Sequence, residues 1–102
     1  MIIHEFDINN LDEIVSSGLV LLDFYADWCG PCKMLSPELE IVAKNIDEIK
    51  IYKINVDNNP EIARKYGIMS IPTLVLYKDG TLVKKNMGYI PSADLEEWIK
   101  DA

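Results

Sequence analysis

The sequence predicts an α/β protein: a mixed sheet covered by helices on both faces. Three observations lead there. Segments with strand-like and helix-like apolar spacing alternate along most of the chain, as crossover connections require. The stretch "LVLLDFYA" (residues 19–26) is apolar on both alternating faces, as a central strand covered on each side should be. Near the end, "KDG" separates two strand-like runs and signals a hairpin through its Asp79-Gly80 dipeptide.

Taken in order, "IIHEF" reads as a short first strand. In "NLDEIVSS", Leu11, Ile14 and Val15 share a helical face, with Asn10 placed to cap it and Glu13 to close a capping-box variant. The central strand follows. After "WCGPCK", Leu35, Leu39, Val42, Ala43 and Ile46 keep a helical period, and Pro37 is expected to bend that helix near its start. "KIYKINV" is the next strand. "NNP" then offers Asn59 as a cap and Pro60 as the first residue of a short helix, which ends at Gly67. "TLVLY" and "TLVKKNM" form the hairpin, and Ser92 is expected to cap a last helix whose Leu95, Trp98 and Ile99 face inward. The order is β-α-β-α-β-α-β-β-α.

With 102 residues the chain has the size of one domain, spanning 1–102. Its 49% hydrophobic and 26% charged residues are ordinary for a globule, so no disulfide framework is needed to hold a core. The net charge of −7 argues against nucleic acid and against anionic membrane surfaces as partners. The opening "MIIHEFDINN" lacks the basic and apolar regions of a secretory signal, and the run from Leu19 to Leu22 stops at Asp23, too short to span a bilayer. The expectation is a cytoplasmic protein, where thiols are kept reduced.

Against that background, "WCGPCK" holds both cysteines of the chain, Cys29 and Cys32. A structural zinc needs four ligands, and beyond this pair the chain offers one distant histidine, His4. Metal bridging between two chains would need an oligomer that nothing in the sequence suggests. A static crosslink closing so small a loop would restrain the unfolded chain little. A redox pair fits best. Cys29 follows a strand and a loop and precedes a helix starting near Pro31, where unpaired N–H groups and the helix dipole favour an exposed thiolate. Cys32 lies about one turn further on and can reach back to it. Pro31 preorganises the first turn, and Gly30 leaves room for a partner backbone. A C-x-x-C pair beside a βαβ pattern is itself a recognised redox signal.

"LLDFYADWCGPCK", the later "IPT" and the terminal "KKNMGYIPSADLEEWI" resemble the thioredoxin family, in order and over essentially the whole chain. The resemblance implies a five-stranded sheet in the order 1-3-2-4-5 with four flanking helices. It implies reduction of protein disulfides, with electrons restored by a thioredoxin reductase and no bound metal or organic cofactor. It also assigns roles. Asp23 resembles the buried aspartate that moves a proton at the resolving cysteine, and Lys53 the lysine that accompanies it. Pro72 resembles the cis-proline facing the disulfide, the Ile71 backbone beside it the binder of extended substrate chains, and Gly88 the glycine that lets a substrate approach.

The residues themselves constrain these roles only in part. Asp23 shares a strand face with Leu21 and Tyr25, where a charge is excluded unless it is paired or functional; a wet strand edge is the bland alternative. Lys53 alternates with Ile51, yet a solvated strand lysine would read the same way. Gly88 could equally be a turn glycine, and Trp28 a core aromatic rather than part of a docking surface. Tyr25 departs from the tryptophan many family members carry, and Met69 makes the expected partner surface more apolar. The reading is therefore a monomeric thiol–disulfide oxidoreductase acting on disulfide-containing proteins. Its rivals are a binding module of the same fold with incidental redox activity, and an oxidase or isomerase, disfavoured by the expected lack of a secretory signal and by the Gly30-Pro31 dipeptide, which the resemblance associates with reducing members.

Overall fold

The structure is a computed structural model that describes the backbone of residues 2–5 and 11–102 and the side chains from residue 11 onward. Its elements are β1 (Ile2–Glu5), α1 (Leu11–Ile14), β2 (Leu19–Tyr25), α2 (Gly30–Asn45), β3 (Ile49–Asn55), α3 (Pro60–Lys65), β4 (Thr73–Lys78), β5 (Thr81–Met87) and α4 (Ser92–Lys100). The strands whose side chains are described run in the order β3-β2-β4-β5, and β1 pairs in parallel with the outer side of β3. β2 and β3 are parallel, whereas β4 is antiparallel to both β2 and β5. The expected cap Asn10 and the strand residue Phe6 lie outside the described residues.

The doubly apolar pattern of β2 has a direct structural cause: both of its faces are covered. Leu21 packs with Leu35, Leu39 and Val42 of α2, with Ile51 of β3, and with Leu95 and Ile99 of α4. On the opposite face Val20, Leu22 and Phe24 meet Leu11, Val15, Ile54 and Val75. Burying each such side chain contributes roughly 2 kcal/mol, so these two layers supply most of the drive to fold. The alternation also decides where the polar members of β2 go. Asp23 and Tyr25 share the face of Leu21 and so lie on the α2 side, as does Lys53 of β3, which alternates with Ile51.

Helix ends follow local chemistry, with two departures from expectation. α3 ends at Gly67 with φ 65°, where the Ile68 N–H reaches the Ala63 carbonyl (2.9 Å) and the Gly67 N–H that of Arg64 (3.0 Å). This is the paired 6→1 and 5→2 closure that glycine permits. Asn59 stands at the start of α3, but its side chain makes no cap bond; its Nδ2 donates instead to the Asn55 carbonyl at 3.0 Å. Ser92 likewise does not cap α4. Pro91 holds the cap position, Ser92 is the first helical residue, and its N–H donates to Glu38 Oε1 of α2 at 2.8 Å. A carboxylate from a packed helix replaces the local hydroxyl at that end. α2 runs unbroken from Gly30 to Asn45 with Pro37 inside it. Among the described residues no helix is long and apolar enough to cross a membrane.

The β4–β5 hairpin turns through Asp79 (φ 49°) and Gly80 (φ 87°), two consecutive left-handed residues as a two-residue hairpin needs. Asp79 also fixes the turn to the entry of β2: its N–H donates to the Gly18 carbonyl (2.9 Å), and its Oδ1 accepts the Gly18 N–H (3.1 Å). A Cβ on Gly80 would sit 3.0 Å from the Ser16 carbonyl oxygen. Gly80→Ala therefore combines a disfavoured φ with a backbone clash, and should lower stability by about 1–3 kcal/mol. Urea unfolding of variant and wild type checks this; an unchanged midpoint would contradict it.

Candidate functional site

The site forms where β2 and β3 end and α2 begins. Beyond Tyr25 the chain turns, with the Cys29 N–H on the Ala26 carbonyl at 3.2 Å, and Cys29 takes an extended backbone (φ −88°, ψ 113°) as the N-cap of α2. Gly30 and Pro31 make the first helical positions; proline costs no hydrogen bond there, since the first N–H groups of a helix have no partner within it. A disulfide joins Cys29 to Cys32, with the two Cα atoms 5.3 Å apart. The Cys32 N–H donates to Cys29 Sγ at 3.2 Å. The cap atom of this helix is thus a sulfur. A free helix N–H and the positive end of the helix dipole favour negative charge on that atom.

Expectation placed Cys29 in the open, and this needs correction. Cys29 and Cys32 are each only 4% exposed, enclosed with Ala26 by Tyr25, Val56 and Ile71. Hydrogen bonding, and not exposure, distinguishes the two sulfurs. Ile71 packs against the pair, and its carbonyl oxygen lies 3.8 Å from Cys29 Sγ. The Ile71–Pro72 peptide is cis. On its two sides Thr73 Oγ1 donates to the Ser70 carbonyl (2.7 Å), and the Gly88 N–H donates to the Pro72 carbonyl (2.8 Å). Gly88 has φ 97°, which explains glycine there, and an added Cβ would meet nothing within 4 Å. Trp28, 70% exposed, is oriented by its Nε1 donating to Asp57 Oδ2 at 2.9 Å. Together with Ile68, Met69 and Ile71 it lines an open, largely apolar groove of about 400 Å³ beside the disulfide.

Beneath α2, Asp23 is buried at 1% exposure, and its Oδ1 finds no hydrogen-bond partner among the described residues. Removal from water pushes its carboxyl up to about 7, against the opposing pull of the Lys53 ammonium. Lys53 is its register partner on β3, but the Nζ donates to Ser36 Oγ (3.1 Å) and lies 4.8 Å from the centre of the Tyr25 ring. The sequence residues thus fall into two groups. Trp28, Cys29, Gly30, Pro31, Cys32, Ile71, Pro72 and Gly88 gather around the disulfide, and Asp23 and Lys53 lie on the sheet under it. Sequence reasoning missed Asp57 and Ser36. Each sits in a segment with unremarkable local signal, and each matters through a contact across the fold. Among the described residues no three His, Cys, Asp or Glu side chains are grouped to hold a metal ion.

A cysteine pair closed across the first turn of a helix, at the end of the sheet's interior strands and beside an apolar groove, defines a thiol–disulfide oxidoreductase. The model of the family described as Thioredoxin matches residues 3–101. The chain is 52% identical over 85 residues to the thioredoxin of Bacillus subtilis, covering 82% of each. It is 47% identical over 96 residues to that of Alicyclobacillus acidocaldarius, covering 93% of this chain and 91% of the relative. The crystal structure of oxidised mitochondrial thioredoxin 3 from Saccharomyces cerevisiae superposes with a TM-score of 0.81 at 41% identity, covering 89% of this chain and 85% of that one. The chain belongs to the thioredoxin family and has its α/β fold.

The buried acid makes a pH-dependent prediction. Below about pH 4 both folded and unfolded chains hold the Asp23 proton. Between there and about 7 only the folded chain does, so the site's contribution to stability falls as pH rises and levels off above the folded value. Across that window wild type should lose roughly 4 kcal/mol relative to Asp23→Ala. The variant should be the more stable protein at pH 8, less whatever its small cavity removes. Urea unfolding of both proteins from pH 4 to 8 reads this out, and parallel stability curves would refute it.

Proposed function

We propose that residues 1–102 act as one thioredoxin domain, with Ile2–Glu5 as the fifth strand in the order 1-3-2-4-5, and that it reduces disulfides of partner proteins in the cytoplasm as a monomer. The observation that carries this reading is the Cys32 N–H on Cys29 Sγ at 3.2 Å, which makes Cys29 the sulfur that the helix end favours as thiolate. The Cys29 thiolate attacks one sulfur of a partner disulfide, and the other leaves as a thiolate. The mixed disulfide joins Cys29 to the partner. Cys32 then loses its proton and attacks Cys29 Sγ, which forms the Cys29–Cys32 bond and releases the partner's second sulfur. Two electrons pass to the partner, and a thioredoxin reductase restores them.

Supporting residues follow from their places. An extended partner segment lies over Trp28, Gly30 and Pro31 and along the Ile71 and Pro72 backbone, and open space beside Gly88 admits its main chain. Asp23, with Lys53 as its electrostatic neighbour, takes up the Cys32 proton. A carboxyl raised to about 7 is matched to that task near neutral pH, because proton exchange is best served by a group titrating near the working pH.

In an insulin-reduction assay driven by dithiothreitol, the wild type should accelerate precipitation and Cys29→Ser should not. Cys32→Ser retains an attacking thiol without a resolving one, and should accumulate covalent adducts on Cys29. Mass spectrometry locates them; adducts chiefly on Cys32 in the Cys29→Ser variant would reverse the assignment. A binding module would leave the precipitation rate unchanged.

A further inference from the structure

Asp23 and Lys53 are register partners on adjacent parallel strands and share one sheet face, so their backbones are roughly 5 Å apart. A lysine stem is long enough to bring its ammonium onto that carboxyl. It goes elsewhere. Nζ donates to Ser36 Oγ at 3.1 Å and stands over Tyr25 at 4.8 Å, while Asp23 Oδ1 stays buried with no donor among the described residues. Ser36 is well fixed for this task. Its hydroxyl proton is directed at the Cys32 carbonyl (3.4 Å), one turn back along α2, which leaves the oxygen lone pairs for Lys53. Ser36, Lys53, Tyr25 and Cys32 line a crevice of about 160 Å³ that also takes in Asp27 and Lys33.

We propose that Ser36 is a positioning residue, which holds the Lys53 ammonium at the mouth of this crevice and keeps it from closing an ion pair with Asp23. The residue acts through Lys53 and touches neither reacting sulfur in the proposed mechanism. Without the hydroxyl, the ammonium is released toward its register partner Asp23, and pairing would favour the ionised acid. Among the described residues, the charged and titratable groups around this crevice are Lys53 from β3, Lys33 and the disulfide-bonded Cys32 from α2, Asp27 from the loop before α2 and Tyr25 from β2; the register partners of Asp23 itself are Lys53 on β3 and the uncharged Leu74 on β4. Among the described cations, Lys53 is the one whose charge opposes the upward push of burial on the Asp23 carboxyl. The proposal gives Ser36 control over the pH at which Asp23 changes charge, and so rests on the reading of Asp23 as the proton acceptor.

The test is a carboxyl-carbon NMR titration of Asp23, which needs no catalytic turnover. Ser36→Ala, a substitution that a helix tolerates well, should move the Asp23 midpoint down by roughly one pH unit. Ser36→Thr keeps a hydroxyl and should hold the midpoint near the wild-type value. In a Lys53→Met background, Ser36→Ala should shift it little, because the intermediary is gone. A midpoint that Ser36→Ala leaves in place or raises would overturn the proposal, as would an equal shift with and without Lys53. The pH profile of insulin reduction is then read beside it, and its acidic limb should move with the midpoint. A wild type that reduces no insulin would defeat the reductase reading, while the titration would still decide the role of Ser36.

Discussion

Everything distinctive about this molecule depends on one sulfur standing where a helix expects an oxygen. The N-cap position of α2 ordinarily belongs to a serine, threonine or aspartate that accepts a backbone N–H. Cys29 occupies it, and the Cys32 N–H points at its sulfur from 3.2 Å. The C-x-x-C spacing follows from that geometry, because the residue whose N–H meets the cap atom also carries the second sulfur, one turn away. Gly30 and Pro31 between them are helical positions that need no side-chain contact and no hydrogen bond. The rest of the fold aims the arrangement. β2, buried on both faces, delivers the chain to the helix start, and the cis Ile71–Pro72 segment closes over the sulfurs from β4.

A second constraint runs against stability. The face of β2 that packs on α2 carries Asp23 beside Leu21, with a carboxyl oxygen that no described residue satisfies. A sequence selected for stability alone would hold an apolar residue there, since a buried polar group without a partner costs about 1–3 kcal/mol. The same burial raises the carboxyl to about 7, so the feature that weakens the fold suits a group exchanging protons with a thiol. Lys53 modulates the effect from a distance instead of cancelling it, because its ammonium is engaged by Ser36 and Tyr25.

How much of this the sequence disclosed depends on how local each cause is. The two-faced apolar strand, the Asp79-Gly80 turn, the Gly67 helix end and the C-x-x-C pair are written in consecutive residues, and all were legible. Asn59 holds the predicted cap position but its side chain turns back to the Asn55 carbonyl, and Ser92 misled because a helix end can be satisfied from elsewhere: Glu38 of α2 reaches the Ser92 N–H, a contact 54 residues away in sequence. Burial of Cys29 was hidden for the same reason, since Ile71 and Val56 cover it from other segments. Resemblance to the family, and not any local signal, pointed to Pro72 and Gly88. Trp28 reads equally as core or surface in sequence because Asp57, which orients its exposed ring, lies 29 residues away, and Ser36 carries no local signal because its partner Lys53 comes from β3.

Cys29 and Cys32 are equally buried, so only the helix end, through the Cys32 N–H on Cys29 Sγ, separates them as thiolates. Limited alkylation of the fully reduced wild type with iodoacetamide near neutral pH, followed by peptide mass spectrometry, tests it most directly, because only thiolate reacts at an appreciable rate. Almost all early label should be on Cys29, and this selectivity should fade as the pH rises and both thiols ionise. Equal labelling from the outset, or label mainly on Cys32, would contradict it.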